Sequence, residues 1–471
     1  MAHQDQGRKG SSCSHAHDLQ QAMEWLLEGA SLDEIKLRVD CTWTQKALIF
    51  VALLWAWSDE KGLIERFSAA RKIIIDRFVE QQQPAGSYQA FMKLLGKWTE
   101  PLRTVLSTAF RRRMPEVLRS VWEVAGWTVF AADGSRVGVP RTRKNEERYS
   151  PKSKLSREAQ KRRRMSRRRR TQQAARERKA NVPQIWITTL WHVGSGLPFD
   201  WRTGPSDSSE RAHLQEMLSS LPPGSLLTAD AGFVGYALWK MILDAGHQLL
   251  VRVGGNVKLL KKLGYAREHN GLVYLWPDRA AKKHQPPLVL RLVVATTGKQ
   301  PIYLVTSVMN TQLLSDAQAA EVYRRRWGIE VFYRHCKQTF ERRKLRSRNP
   351  DNAMVELHWS LLGMWAMGLH SHTRLVSQGI PPERISFAGV WRAYRCPMRQ
   401  YQCRPEPGER MTELIDCAII DPYKRKNKTS RAYPRKKEEQ SAGRPMIRKA
   451  TRSQIVMAQQ VKAEQQKGLT A

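Results

Sequence analysis

VYRRRWGIEVFYRHCKQTF, residues 322–340, is the stretch on which the reading of this chain turns. Within it Tyr323, Arg326, Glu330 and Lys337 follow one another at steps of three, four and seven. An α-helix advances about 100° per residue, so measured from Tyr323 the four fall near about 0°, −60°, −20° and −40°. One carboxylate, two cations and one phenol thus share a narrow stripe. Glu321, nine residues before Glu330, points to the opposite side. A helix that only packs puts apolar residues on its stripe and scatters its charges. A lone carboxylate set between phosphate-binding cations is the layout of a metal-dependent site acting on nucleic acid. The apolar periodicity predicts helix from Ser315 through Phe340.

The chain around this helix is 471 residues long with a formal charge of +37 and a pI near 10.4. Such an excess of cations points to a polyanionic partner, nucleic acid first. Residues 141–180 carry 18 Lys/Arg and 4 Glu, and residues 423–471 carry 14 Lys/Arg and 3 Glu. These two segments hold most of the net charge and read as mobile polycationic arms. Six cysteines are scattered without a CxxC pair, which argues against a disulfide framework or zinc finger and fits a reducing cytoplasm. The Cys13-Ser-His15-Ala-His17 cluster reads as incidental in a polar tail. Ala47–Trp57 is the longest apolar run and too short to span a bilayer, which takes roughly 20 residues. The polar first 18 residues do not form a signal peptide. No membrane role is expected.

The organisation predicted along the chain is a polar tail over 1–17 and helices over 18–125. Ser31-Leu-Asp-Glu34 resembles a capping box, Ser87 is placed to cap a helix after the Pro84–Gly86 break, and Lys/Arg lie along the helix faces. A helical DNA-binding domain and a plain packing bundle both suit this segment. From Trp127 short strands take over: 127–132, 184–193, 198–203, 225–229 and 248–253, with helices near 208–221 (Ser208 as cap) and 235–246. The stretch 256–307 is β-rich, 354–376 is a Trp/Leu/Met-rich helix, 376–422 is a C-terminal helical region, and 423–471 is the basic tail.

Two strands run into an acid beside small residues: Val129-Phe-Ala-Ala-Asp133-Gly134 and Leu226-Leu-Thr-Ala-Asp230-Ala-Gly232. Each alone reads more readily as an Asp-Gly turn closing a strand. Together with Glu330 they form a set of three carboxylates able to hold two divalent cations for phosphoryl transfer. Mg²⁺ suits such ligands. No Ser/His/Asp or Cys/His arrangement and no Gly-rich phosphate loop competes.

Strand-Asp133, strand-Asp230 and the helix with Tyr323, Arg326, Glu330 and Lys337 resemble the DDE transposases of bacterial insertion sequences. The narrower likeness is to the branch with the Tyr-x2-Arg-x3-Glu-x6-Lys signature; Trp327, Ile329 and Phe332 look typical of it too. The resemblance covers roughly 120–375. It implies an α/β fold: a ribonuclease H-like core over 126–255 and 308–375, with the 256–307 insertion before the catalytic helix and the N-terminal helical domain added. It implies Asp133, Asp230 and Glu330 as catalytic ligands of two Mg²⁺ ions, with Mn²⁺ able to substitute. Tyr323, Arg326 and Lys337 would hold phosphates, Arg334 and Arg252 would meet DNA, and Trp276, the one Trp within 256–307, would stack on an extruded base. Implied partners are double-stranded DNA, as terminal inverted repeats and target, and a second copy in the DNA complex, at the nucleoid in the cytoplasm. The basic stretch 141–180 is long for the family. A transposase-derived DNA-binding protein and a nuclease that never joins strands are the competing readings.

Overall fold

The computed structural model describes residues 15–38, 40–78, 84, 86–151, 182–296, 301–420 and 443–470. Most of the 141–180 basic arm and the first part of the basic tail lie outside the described residues. The described helices, in chain order, are α1 His15–Leu27, α2 Gln45–Trp57, α3 Leu63–Arg77, α4 Tyr88–Val117, α5 Arg143–Tyr149, α6 Glu210–Met217, α7 Tyr236–Asp244, α8 Asp278–Ala281, α9 Asp316–Arg325, α10 Gly328–Arg334, α11 Pro350–Ser377, α12 Phe387–Arg399, α13 Met411–Asp416 and α14 Arg452–Thr470. The strands are β1 Val129–Gly138, β2 Gln184–His192, β3 Leu197–Gly204, β4 Leu226–Ala229, β5 Gln248–Val253, β6 Lys258–Lys261, β7 Leu272–Leu275, β8 Leu288–Ala295, β9 Ile302–Thr306 and β10 Met446–Lys449.

All ten strands join one sheet, in the order β10-β6-β7-β8-β9-β5-β4-β1-β2-β3. β1, β2 and β3 form an antiparallel meander, while β1, β4 and β5 run parallel. The four residues of β4 are buried, as a strand covered on both faces by helices requires. Register carries the two strand acids together. Ala132 pairs with Ala229, so Asp133 and Asp230 follow one residue later on neighbouring parallel strands. Asp133 was expected at the exit of its strand; β1 instead continues to Gly138, because β2 supplies partners along that whole length.

The insertion was expected as a block of its own. It extends the core sheet instead: β9 pairs antiparallel with β5, so the edge that β5 would otherwise expose is closed. The basic tail was expected to be a loose arm. Its described part folds: β10 pairs with β6, and Ala458 and Val461 of α14 are buried against Trp276, Tyr274 and Leu263 in a small second core. Apolar residues at helical spacing outweigh the charge of the segment there.

The segment 18–125 is continuous with the rest. Every residue of α2 from Ala47 to Trp57 is buried, and the main hydrophobic core runs from α1 through the sheet to α13. α11, the Trp/Leu/Met-rich helix, is its centre. Trp57 donates its indole N–H to the Gly363 carbonyl at 3.0 Å, Trp359 donates to Thr99 Oγ1 at 3.0 Å, and Phe110 meets Trp365 edge-on. Ser87 caps α4 as the sequence indicates, and Ser315 caps α9 in a full capping box with Gln318. The expected Ser31 capping box is absent: Leu32–Glu34 is one 3₁₀ turn and the Ser31 side chain bonds nothing there. Ser209, not Ser208, caps α6.

A charge in the small second core should unseat the C-terminal helix. Val461→Asp is expected to cost about 3 kcal/mol, since a carboxylate would be buried without a partner. Limited proteolysis should then cut near α14 while the main core keeps its thermal transition.

Candidate active site

The 322–340 segment is not one continuous helix, and this corrects the first expectation. α9 ends at Arg325, a turn follows at Arg326–Trp327, α10 begins at Gly328, and His335–Thr339 winds as a π-helix. Close approach requires a glycine at 328: a Cβ there would collide with the Trp191 ring of β2. Arg326 and Trp327 keep α-helical dihedrals, so the signature residues still share a side, but that side packs inward rather than facing solvent. Tyr323 and Arg326 are buried, at 8% and 7% exposure, Glu330 and Lys337 are half-buried, and Arg334 is exposed.

Arg326 is the hub. Its Nη2 donates to Glu330 Oε1 at 3.2 Å, and its guanidinium lies over the Tyr323 ring at 5.3 Å. Burial works against its charge. Tyr323, Asp133, Glu330 and Asp230 outweigh that and hold the guanidinium above its usual range. All three acids picked from the sequence therefore act on one buried cation.

Asp133 is the acid most perturbed. Burial pushes its carboxyl up to about 7; the Gly134 backbone N–H and Arg326 oppose the rise, while Asp230 and Glu210 add to it. Asp230 caps the short 3₁₀ turn after β4, with Oδ1 accepting from Gly232 N at 2.8 Å. α10 is pinned to β1 at the same point: the Tyr333 hydroxyl donates to the Asp133 carbonyl at 2.8 Å. Lys337 Nζ donates to Ser135 Oγ at 2.6 Å. Ser135 is two residues past Asp133, hence on the same face of β1. Burial lowers the Lys337 pKa, which Cys336 and Asp133 oppose. Among the described residues, no three His, Cys, Asp or Glu side chains stand close enough together to hold one metal ion.

The Transposase DDE domain family matches residues 126–365, a span that includes both strand acids and the helical signature. The chain belongs to the DDE transposase family. It is similar to the transposase InsG for insertion sequence element IS4 of Escherichia coli (strain K12), 25% identical over 221 residues, which are 44% of this chain and 49% of that protein. The chain thus spans about half the length of this curated relative. A cryo-EM structure of a piggyBac transposase synaptic complex with hairpin DNA superposes with a TM-score of 0.38 at 12% identity, over 88% of this chain and 85% of that one. That distance carries no argument about the site.

Other residues sit around this candidate site that the sequence did not single out. Glu210, the first residue of α6, lies against Gly134: a Cβ there would stand 2.6 Å from Glu210 Oε1. Burial and Asp230 raise the Glu210 pKa, against Arg136 and Arg211. Nothing in the local sequence marks Glu210, because the contact exists only once α6 folds over β1. Beyond Lys337, a cleft of about 760 Å³ is lined by Arg136, Arg141, Lys337, Arg343 and Lys344, with no acid on its wall among the described residues. Arg136 stacks over the Trp186 ring at 4.3 Å. The run of cations after Phe340 was the sequence signal for this cleft.

Two expectations fare differently. Trp276 is buried at 4% exposure in the small second core and donates its indole N–H to the Gln285 carbonyl at 2.8 Å. Its ring faces cannot take a base in this conformation, because Tyr274, Ala458 and Val461 share its core. Arg252 is half-buried in β5, opposite Leu304 of β9.

The apo protein's response to pH follows from Asp133. Its folded pKa is above its ordinary value, so the folded state holds the proton more tightly, and ionisation costs stability as pH rises from about 4 to 7. Asp133→Asn removes that cost. In melts without divalent metal the variant should gain on the wild type between pH 5 and pH 8, and an equal difference at both values would refute the buried, proton-holding carboxyl. Arg326→Ala should do the reverse. It leaves the acids without their shared cation, so its melting temperature should fall by several degrees at pH 8 and recover part of the loss at pH 5.

Proposed function

We propose that this chain cuts DNA at the ends of an insertion sequence and joins the freed 3′-hydroxyl to target DNA, with Asp133, Asp230 and Glu330 as the reaction-centre carboxylates. The observation that carries the reading is the placement of Asp133 and Asp230 one residue past a matched pair on adjacent parallel strands, with Tyr333 of the Glu330 helix tied to the Asp133 carbonyl and Arg326 bonded to Glu330. Family membership supports it. The strand order β3-β2-β1-β4-β5, an antiparallel meander joined to parallel strands, supports a ribonuclease H-like core.

The donor set is all carboxylate oxygen, which fits hard divalent cations, Mg²⁺ first with Mn²⁺ as substitute. Asp133 and Asp230 would hold them from adjacent strands, and Glu330 would join once drawn from Arg326. When bound, two such ions supply an activated oxygen nucleophile and stabilise the leaving oxygen. The chain's own residues do the rest. Tyr323 supports the Arg326 guanidinium from below, and Arg326 keeps Glu330 facing the strand acids. Lys337, braced on Ser135 beside Asp133, offers its ammonium to a phosphate at the cut. Arg136, Arg141, Arg343 and Lys344 extend that cationic track, which suits a DNA backbone leading away from the centre. Arg334 and Arg252 are further candidates for DNA contact. Terminal inverted repeats and target DNA are the proposed substrates, a dimer on DNA the proposed assembly, and the nucleoid its place of work. Among the described residues no helix is long and apolar enough to cross a membrane.

Purified protein on duplexes bearing the terminal repeats tests the reading. Cutting plus joining in Mg²⁺ is the expected result; cutting alone would mark a nuclease, and binding without cutting a DNA-binding derivative. Asp133→Ala, Asp230→Ala and Glu330→Ala should each reduce cleavage to background while gel-shift affinity stays within about threefold, because affinity rests on cations elsewhere. Any one of the three that still cuts well in Mg²⁺ leaves the site.

Replacing Arg343 and Lys344 by Ala should flatten the dependence of log affinity on log salt by about 0.9 for each phosphate no longer neutralised. An unchanged slope would take the cleft off the DNA path.

A further inference from the structure

The helix α4 carries a second cationic stripe. Arg103, Ser107 and Arg111 follow at four-residue spacing, so they lie one above the other on one face. That face opens on a recess of about 560 Å³ between α4, the outer edge of β3 and the turn at Leu218–Ser220. Aromatic rings set the guanidiniums in place: Arg103 lies over Trp201 at 5.7 Å and Arg111 over Phe199 at 5.8 Å.

The charges here do not close on themselves. Asp200, 3% exposed, is the acid on the recess wall. It accepts hydrogen bonds from the Trp201 backbone N–H at 2.8 Å and from Arg202 Nη1 at 3.0 Å. Arg103 Nη1 and Arg111 Nη1 are ion-paired with it at 3.8 and 3.6 Å, too long for hydrogen bonds. Two acids outside the recess take other edges: Glu100 faces both Arg103 Nε and Nη2 at 2.8 Å, leaving Arg103 only its Nη1 toward the recess, and Glu216 lies 3.5 Å from Arg202 Nε. Arg111 donates only its Nε, to the Ser107 carbonyl at 3.2 Å, so its terminal nitrogens are left without a hydrogen bond among the described residues. Burial lowers the Arg111 pKa, with Asp200 opposing and Arg103 and Arg202 adding to the fall. Ser107, 2% exposed, lines the same recess, and its Oγ is buried with no partner among the described residues. A finished ion-pair network leaves no such donors unspent.

We propose that this recess binds a backbone phosphate of DNA, through Arg103, Arg111 and Ser107. A phosphodiester offers two charged oxygens to guanidinium N–H groups held in fixed planes. The two arginines are eight residues, about 12 Å, apart along the helix, but both turn their Nη1 atoms toward Asp200, so one phosphate at the recess mouth can meet both. Asp200 pairs with Leu190 of β2 and Leu190 with Ala132 of β1. The recess is thus two strands, about 10 Å, across the sheet from Ala132, the neighbour of Asp133. Ala132 and Asp133 point to opposite faces, so the phosphate belongs to a part of the duplex away from the cut. The choice of DNA over a free anion rests on the proposed transposase activity.

The test uses the full chain with two variants. Arg111→Gln removes the least-bonded guanidinium; Ser219→Glu places a carboxylate at the exposed rim of the recess and leaves every guanidinium in place. Both are expected to stay folded, with a cooperative thermal transition. Both should flatten the salt slope of duplex binding by about 0.9 for each phosphate no longer neutralised. Unchanged slopes in folded variants would overturn the proposal. If Arg111→Gln does not fold, Ser219→Glu alone decides it. If millimolar inorganic phosphate raises the wild-type melting temperature but not that of the variants while the slopes stay equal, the recess takes a free anion and the DNA assignment falls. If the wild type binds duplex but never cuts it, the proposed activity fails, and a lower slope in the variants still upholds the recess.

Discussion

One buried guanidinium, Arg326, offsets the charge of the acids proposed for the reaction centre. Carboxylates gathered at the edge of a core repel one another, and the repulsion grows as solvent is excluded. Arg326 offsets it from inside, bonded to Glu330, resting on Tyr323 and facing Asp133 and Asp230. The compensation is incomplete: burial still pushes the Asp133 carboxyl up to about 7. A site with surplus negative charge held in a rigid frame is primed for divalent cations, and the same cation that keeps it folded keeps its acids apart from one another.

Rigidity comes from elements that cross the whole chain. The Tyr333 hydroxyl ties the Glu330 helix to the Asp133 backbone. Parallel register fixes Asp230 beside Asp133 with no side-chain contact needed. Behind the sheet, α11 locks α2 and α4 against β3 through Trp57, Trp359 and Trp365. Residues more than two hundred positions apart thereby share one core, and the cationic stripe of α4 is held at a fixed place relative to the sheet.

The positive charge divides between the core and the surface. Arg326 and Arg342 are core residues; Arg342 bonds Ser360 Oγ, the Phe340 carbonyl and the Ala56 carbonyl. Arg136, Arg141, Arg343 and Lys344 line a cleft without an acid on its wall among the described residues. Counting lysines and arginines along the chain does not separate these uses, since a guanidinium serves equally in a core and at a phosphate.

What the sequence determined by itself was periodic or local. Strand runs, the cap at Ser87, the helix starting at Ser315, the small residues beside Asp133 and Asp230, and the spacing of Tyr323, Arg326, Glu330 and Lys337 were all legible, because each depends on neighbours within a few residues. Tertiary structure decided the rest. Packing buries Tyr323 and Arg326 and seats Gly328 against the Trp191 ring, and it turned the expected stripe into a partly buried hub. Glu210 reaches the site only by the packing of α6 on β1. Trp276 disappeared into a core completed by Ala458 and Val461, from a tail that composition alone marked as a charged arm. In each case the partner lies far along the chain, and no local pattern records a contact that only close packing creates.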